Sequence, residues 1–153
     1  MPVPERIRGR RIALAIDEED QAQSASEEEA RRGRAHACLL TFDVSDLGAI
    51  KPLAQFQVSE LDSPFSRTGG ARFGAHQFCE RMAGTIVHAV WFGGGLRIID
   101  VADPQSPREV GHFIPEPTAG RPAPQSNDVA LDARGLIYVI DRHVGFDILE
   151  FAA

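Results

Sequence analysis

The chain repeats itself, and the repeat limits the folds open to it. Set without gaps at an offset of 57, Leu39 to Phe56 lies over Leu96 to Phe113. Leu39 then meets Leu96, Asp43 meets Asp100, Val44 meets Val101, Asp46 meets Asp103 and Phe56 meets Phe113. Chance gives about one identity in such a stretch at ordinary residue frequencies. Similar residues also pair: Thr41 with Ile98, Phe42 with Ile99, Leu53 with Val110. A less regular third copy starts at Gly145, where Phe146 to Phe151 lies over Leu96 to Val101. Upstream, Gly84-Thr85-Ile86-Val87 lies over Gly135-Leu136-Ile137-Tyr138, and Ile12 to Asp17 lies over Leu136 to Asp141. The unit is about 50 residues long with variable connectors, a period that belongs to repeat architectures.

Each unit reads as short strands. Residues 85–92 form an apolar run rich in β-branched and aromatic side chains, bounded by Gly84 and by Gly93-Gly94-Gly95. Residues 96–101 make a second run and Arg108 to Ile114 a third, and a further strand near 127–132 opens the next unit. Between the second and third runs, Asp103-Pro104-Gln105-Ser106-Pro107 is a turn, because proline fixes φ and aspartate bonds the backbone locally. Strands that are apolar on both faces need a packed layer on each side. Four short strands per 40–50 residues is the pattern of a propeller blade; a β-sandwich is the structural alternative, but it leaves the repetition unexplained. The expected fold is therefore all-β, a partial β-propeller of about two and a half to three four-stranded blades, with about ten strands in antiparallel meanders.

Gly95-Leu96-Arg97-Ile98-Ile99-Asp100-Val101-Ala102-Asp103-Pro104, followed by Pro107-Arg108-Glu109-Val110-Gly111, resembles the LVIVD-repeat family. Its repeat unit reads G-L-x-I-[IV]-D-[VI]-x-[DN]-P-x-x-P-x-x-[VL]-[GA]. The first copy departs at Leu47 and Ile50, which replace the prolines, and the third copy stops at Phe151. The resemblance implies a β-propeller of repeats at about 5–58, 74–114 and 126–153, a single incomplete domain over 1–153. The first unit would lack its first strand and the last its outer strand, as in the C-terminal portion of a longer propeller. Residues 18–34, with Glu27-Glu28-Glu29 and Arg31-Arg32-Gly33-Arg34, read as a polar insertion, and 115–125, with four prolines, as an extended connector.

Charge and targeting narrow the function classes. The net charge of -6 argues against a nucleic-acid partner. No apolar run approaches the roughly 18 residues of a spanning helix, so no membrane insertion is expected, and the first residues lack the apolar core of a signal peptide. As written the chain is expected to be cytoplasmic, although members of the family it resembles are often exported. Cys38 and Cys79 are too few for a disulfide framework and match no metal spacing; they read as two small buried side chains, with a single bridge between them as the alternative.

The resemblance also implies where a site would lie. In propellers, the loops leading into first strands and the loops between second and third strands share one face. On this chain those loops bring His76, Gln77, Glu80, Asn127 and Asp128 together with Asp17, Glu18, Trp91, Asp141, Arg142 and His143. His76 lies over Asn127 in the repeat. His76, Glu80 and Asp128 are the candidate ligands of a divalent metal, which needs converging His and carboxylate groups. His36, His88 and His112 read as packing or surface residues, and Trp91-Phe92 as packing against a neighbouring repeat rather than an exposed aromatic platform. Gly93-Gly94-Gly95 is no phosphate loop, since no Lys-Ser/Thr follows, and neither G-x-S-x-G nor H-E-x-x-H occurs. The expected function is a non-enzymatic propeller scaffold without a required cofactor. It would bind a protein or small-molecule partner on the axial face and complete itself with missing blades or by self-association. The alternatives are a metal-assisted enzyme with its site at the propeller centre and an inactive fragment.

Overall fold

A computed structural model describes residues 1–18, 37–58, 63–66, 71–82 and 84–152. Most of the 18–34 insertion, and His36, lie outside the described residues. Among the described residues every regular element is a strand: β1 (Ile12–Ile16), β2 (Leu39–Asp43), β3 (Lys51–Phe56), β4 (Phe73–Phe78), β5 (Ile86–Phe92), β6 (Leu96–Asp100), β7 (Arg108–Phe113), β8 (Ser126–Leu131), β9 (Ile137–Asp141) and β10 (Gly145–Leu149). All pairings are antiparallel between chain neighbours except one. β1-β2-β3 form one sheet. β4 to β7 and β8 to β10 form two further meanders, joined into a curled seven-stranded sheet by the single pair Phe92 with Ser126. Residues 114–125 form no strand, as their prolines require.

The repeat seen in the sequence recurs in the ladders. Leu39 faces Phe56 and Asp43 faces Lys51. At the same offset Leu96 faces Phe113 and Asp100 faces Arg108. Both ladders shift register at corresponding places, Thr41/Phe42 and Ile98/Ile99. The turns that follow are built alike. Ser45 N donates to Asp43 Oδ1 at 2.9 Å, and Ala102 N to Asp100 Oδ1 at 2.9 Å. Gly48 N donates to Asp46 Oδ1 at 2.9 Å, and Gln105 N to Asp103 Oδ1 at 3.1 Å. The repeated aspartates are therefore turn formers, each offering a local acceptor that water would otherwise supply.

The third copy needs one adjustment. Val87 faces Ile99 and Ile137 faces Leu149, so Ile137, not Tyr138, stands level with Val87. The glycine alignment is off by one because the two turns differ by a residue. A one-residue slip exchanges the faces of a strand, and the burial follows the ladder: Val87 and Ile137 are buried, Tyr138 is half-buried. Gly84 and Gly135 still occupy corresponding hairpins, at φ of 60° and 87°.

Two cores lie on opposite faces of the middle meander. On one face Val87, Ala89, Trp91, Ile99 and Val101 pack with Ile12, Leu14 and Leu39 of the first meander. On the other, Val90, Leu96 and Ile98 pack with Val129, Ile137 and Val139 of the third. Each fully buried aliphatic contributes roughly 1.5–3 kcal/mol relative to exposure, so both faces of β5 and β6 demand cover. Trp91 is 1% exposed and meets Phe56 edge-on at 6.0 Å. It is packing, not a platform.

The first meander differs from expectation at its edge. Residues 1–3 lie along β1, where the missing first strand would stand. Val3 N donates to Ile12 O at 2.9 Å and Leu14 N to Met1 O at 2.7 Å, with Pro2 bridging Ala13. At the far end of the stack β10 is an edge strand.

Two substitutions test this architecture. Gly95 has φ of 72°, and an added Cβ would collide with Phe113 O and lie 2.8 Å from Ile114 Cα, both backbone atoms. Gly95→Ala is expected to lose more than about 2 kcal/mol in urea unfolding, whereas Gly48→Ala, which meets only the Asp46 carboxylate at 3.3 Å, should be mild. Asp103→Ala should cost about 1 kcal/mol through the lost turn bond; full retention of stability would contradict the turn-forming role.

Candidate functional site

Side chains from all three meanders meet at one end of the sheets. Glu18, just after β1, receives Arg72 Nη2 at 2.9 Å and His76 Nδ1 at 3.1 Å on the same carboxylate oxygen. The histidine approach is off the hydrogen-bonding direction, so it is a close polar contact rather than a hydrogen bond. Both side chains rest on Phe92. The Arg72 guanidinium lies 3.8 Å from the ring centroid, and the His76 ring stacks at 4.4 Å with 25° between planes. A cation over an aromatic face is attracted by the ring quadrupole, more so when shielded from water. Phe92 in turn pairs with Ser126, whose hydroxyl reaches Asp141 Oδ2 at 3.1 Å. Asp141 Oδ1 accepts His143 N at 2.8 Å and Val144 N at 3.0 Å.

The β5–β6 turn places Phe92. Trp91 N donates to Gly95 O at 2.7 Å and Gly95 N to Phe92 O at 3.0 Å, closing the turn and setting Phe92 at φ of 47°. That left-handed conformation costs about 1–3 kcal/mol for a non-glycine residue and persists only when its surroundings impose it. Here the turn bonds and the Arg72 and His76 side chains packed on the ring do so.

Of the sequence candidates, His76, Asp141 and His143 join this row, with Glu18. Asp17 sits beside them and accepts Ala37 N at 3.2 Å. Asn127 occupies the register shift of β8 between Ser126 and Asp128, and its Oδ1 is buried without a hydrogen-bond partner. The level of Gln77 with Val90 and of Asp128 with Ile140 agrees with the equivalence of His76 and Asn127. Gln77, Asp128 and Arg142 are exposed, and Arg142 N is held by Gln125 O at 3.0 Å. His143 Nδ1 is 3.1 Å from Ala123 O, and Thr118 Oγ1 donates to His143 O at 2.9 Å.

Glu80 is not part of the row. It lies beyond the far end of β4 and lines a groove with Cys79, Arg81 and residues 129–133. Four residues of extended chain span on the order of 13 Å, so His76 and Glu80 cannot share an ion, although alternation puts them on one strand face. Among the described residues no three His, Cys, Asp or Glu side chains are grouped to hold a metal. Cys38 and Cys79 are both buried and unbridged. Burial, then the nearby Asp17 charge, pushes the Cys38 thiol up, which makes it a poor nucleophile.

Arg72, Ser126 and the buried Arg97 were not legible as site or core residues. Arg97 has a fully buried side chain whose Nε donates to Gly94 O at 2.8 Å and whose Nη1 lies 3.2 Å from Glu109 Oε2. It ties the Gly-rich turn to β7, and its only sequence signal is a cation at a variable position of the repeat.

Two pKa shifts have clear causes. At the β8–β9 turn partial burial would raise the Asp132 carboxyl. Hydrogen bonds from the Arg134 side chain and from Arg134 N, Leu136 N and Tyr138 OH outweigh it and hold the pKa at about 2. His88, 4% exposed in the second core, is pushed below its ordinary 6.5 by burial.

Compared with known proteins, the chain matches no family model and no curated protein.

His88 makes stability pH-dependent in a defined direction. The unfolded chain takes up the imidazole proton near 6.5, while the folded chain resists it, so the unfolded state binds more protons as pH falls. Stability is therefore expected to drop as pH is lowered through 6.5 toward the depressed folded value. His88→Leu should flatten that part of a urea-midpoint titration. A slope unchanged by the substitution would place the acid sensitivity elsewhere.

Proposed function

We propose that the three meanders are blades of a β-propeller of LVIVD-repeat type. In this reading the chain is a non-catalytic scaffold that binds a peptide segment of a protein partner at the end where the turns converge. The register repeated at an offset of 57 supports the blade reading, as does the placement of β4 against β8, the first strands of their meanders. The observation that carries the function is the row Glu18–Arg72–His76–Phe92–Ser126–Asp141. It spans all three meanders, and a strained Phe92 holds the Arg72 guanidinium and the His76 ring in place. Around it the exposed Asp128 and Arg142 offer a carboxylate and a guanidinium, a mixed pair suited to the amides and charged ends of a peptide.

The test is a thermal-shift and calorimetric screen with acidic, basic and neutral dipeptides. At least one should raise the melting temperature. Arg142→Ala and Asp128→Ala should weaken that binding about tenfold, the equivalent of one charge-assisted contact. Arg108→Ala, at the opposite end, should leave it unchanged. No shift across the panel, or binding indifferent to both site substitutions, would overturn the peptide reading.

A further inference from the structure

The meanders stack in one sense. Leu39 and Thr41 of the first meander correspond to Leu96 and Ile98 of the second, which correspond to Phe146 and Ile148 of the third. Call this the forward face. The forward face of the first meander packs on Val87, Trp91 and Ile99, the rear face of the second. The forward face of the second packs on Val129, Ile137 and Val139, the rear face of the third. Each junction is thus forward on rear, never like on like.

Among the described residues two faces remain at the ends. The forward face of the third meander carries Tyr138, Ile140, Phe146 and Ile148; Ile140 is 50% exposed, Phe146 61% and Ile148 54%. Tyr138 and Phe146 stack at 6.5 Å, so the patch is continuous. An apolar sheet face of this kind is rare on a monomer. The rear face of the first meander carries Ala13, Ala15, Leu40 and Phe42, all half-buried. The open forward face needs a rear face, and this chain carries one.

We propose that a second copy of the chain covers it. The forward face of the third meander in one copy docks on the rear face of the first meander in the other, and the reciprocal contact closes a ring. The copy number follows from the meander count. The described residues of one copy form three meanders, below the four to eight blades of propellers; two copies bring six, within that range; three bring nine, above it. The closed two-copy form rests on the blade reading, whereas the forward-on-rear contact rests only on the packing seen within the chain. Unlike faces that meet without closing would instead build open chains.

Light scattering coupled to size exclusion, at tens of micromolar protein, tests this on the full chain. A discrete mass of two chains is expected, and Phe146→Glu/Ile148→Glu or Phe42→Glu alone should each reduce it to one. Mixed together, these two variants should recover a two-chain complex, because each retains the face the other lacks. Leu40→Glu serves if Phe42→Glu loses its cooperative melt. Masses that climb with concentration would keep the forward-on-rear contact and discard the ring, and with it the blade reading. A wild-type monomer would overturn the proposal and leave the open faces to further repeats on one polypeptide. Undiminished association of Phe42→Glu or Leu40→Glu would overturn it in favour of like-on-like pairing.

Discussion

Burial of β5 and β6 on both faces is the constraint from which the rest of the molecule follows. Val87, Ala89, Trp91 and Ile99 point to one side, and Val90, Leu96 and Ile98 to the other, all 4% exposed or less. A sheet with one apolar face is satisfied by one layer; this one is satisfied only between two. The first and third meanders are those layers. Their positions bring the ends of β1, β4 and β8 into one neighbourhood, and the candidate site exists because of that convergence.

Local turn chemistry sets how accurately the layers align. The repeated aspartates Asp43, Asp46, Asp100 and Asp103 accept backbone N–H groups two residues on, which fixes where each following strand starts. The β5–β6 turn works differently. Gly95 admits the close approach of the Phe113–Ile114 backbone, Arg97 braces Gly94 from beneath, and Phe92 takes the left-handed conformation that presents its ring to Arg72 and His76. A hydrogen-bonded turn, a buried cation and a strained aromatic thus act together on one hairpin. Strain held by its surroundings at the junction of three meanders is a reason to read that end as the working surface.

The same packing logic accounts for what is left open. Each junction joins unlike faces, so a stack of three ends in two complementary surfaces. At one end the apolar patch of Ile140, Phe146 and Ile148 is exposed; at the other, Ala13, Ala15, Leu40 and Phe42 are half-buried. The polar end formed by the turns and the open apolar sheet faces are separate surfaces of the molecule.

Much of this was written in the sequence because it depends on local chemistry. Apolar runs bounded by glycines and turns marked the strands, the Asp-Pro turn marked the bend after β6, and the offset of 57 carried over into the ladders. The site was only partly legible. His76, Asn127 and Asp141 follow from repeat equivalence, since corresponding positions in a repeat end at corresponding heights. Glu80 lies apart from that row, because periodicity reports which face a side chain shares but not how far along the strand it lies. Arg72, Ser126 and the buried Arg97 carried no local signal: their roles depend on Glu18, Asp141 and Glu109, partners on other strands. The third meander's register was likewise decided by packing, because a one-residue difference between turns is small in an alignment yet exchanges buried and exposed faces. Sequence determined the strands, turns and repeat, which arise from interactions within a few residues. Tertiary structure alone decided which charges meet and which faces stay open, because those depend on contacts between distant strands.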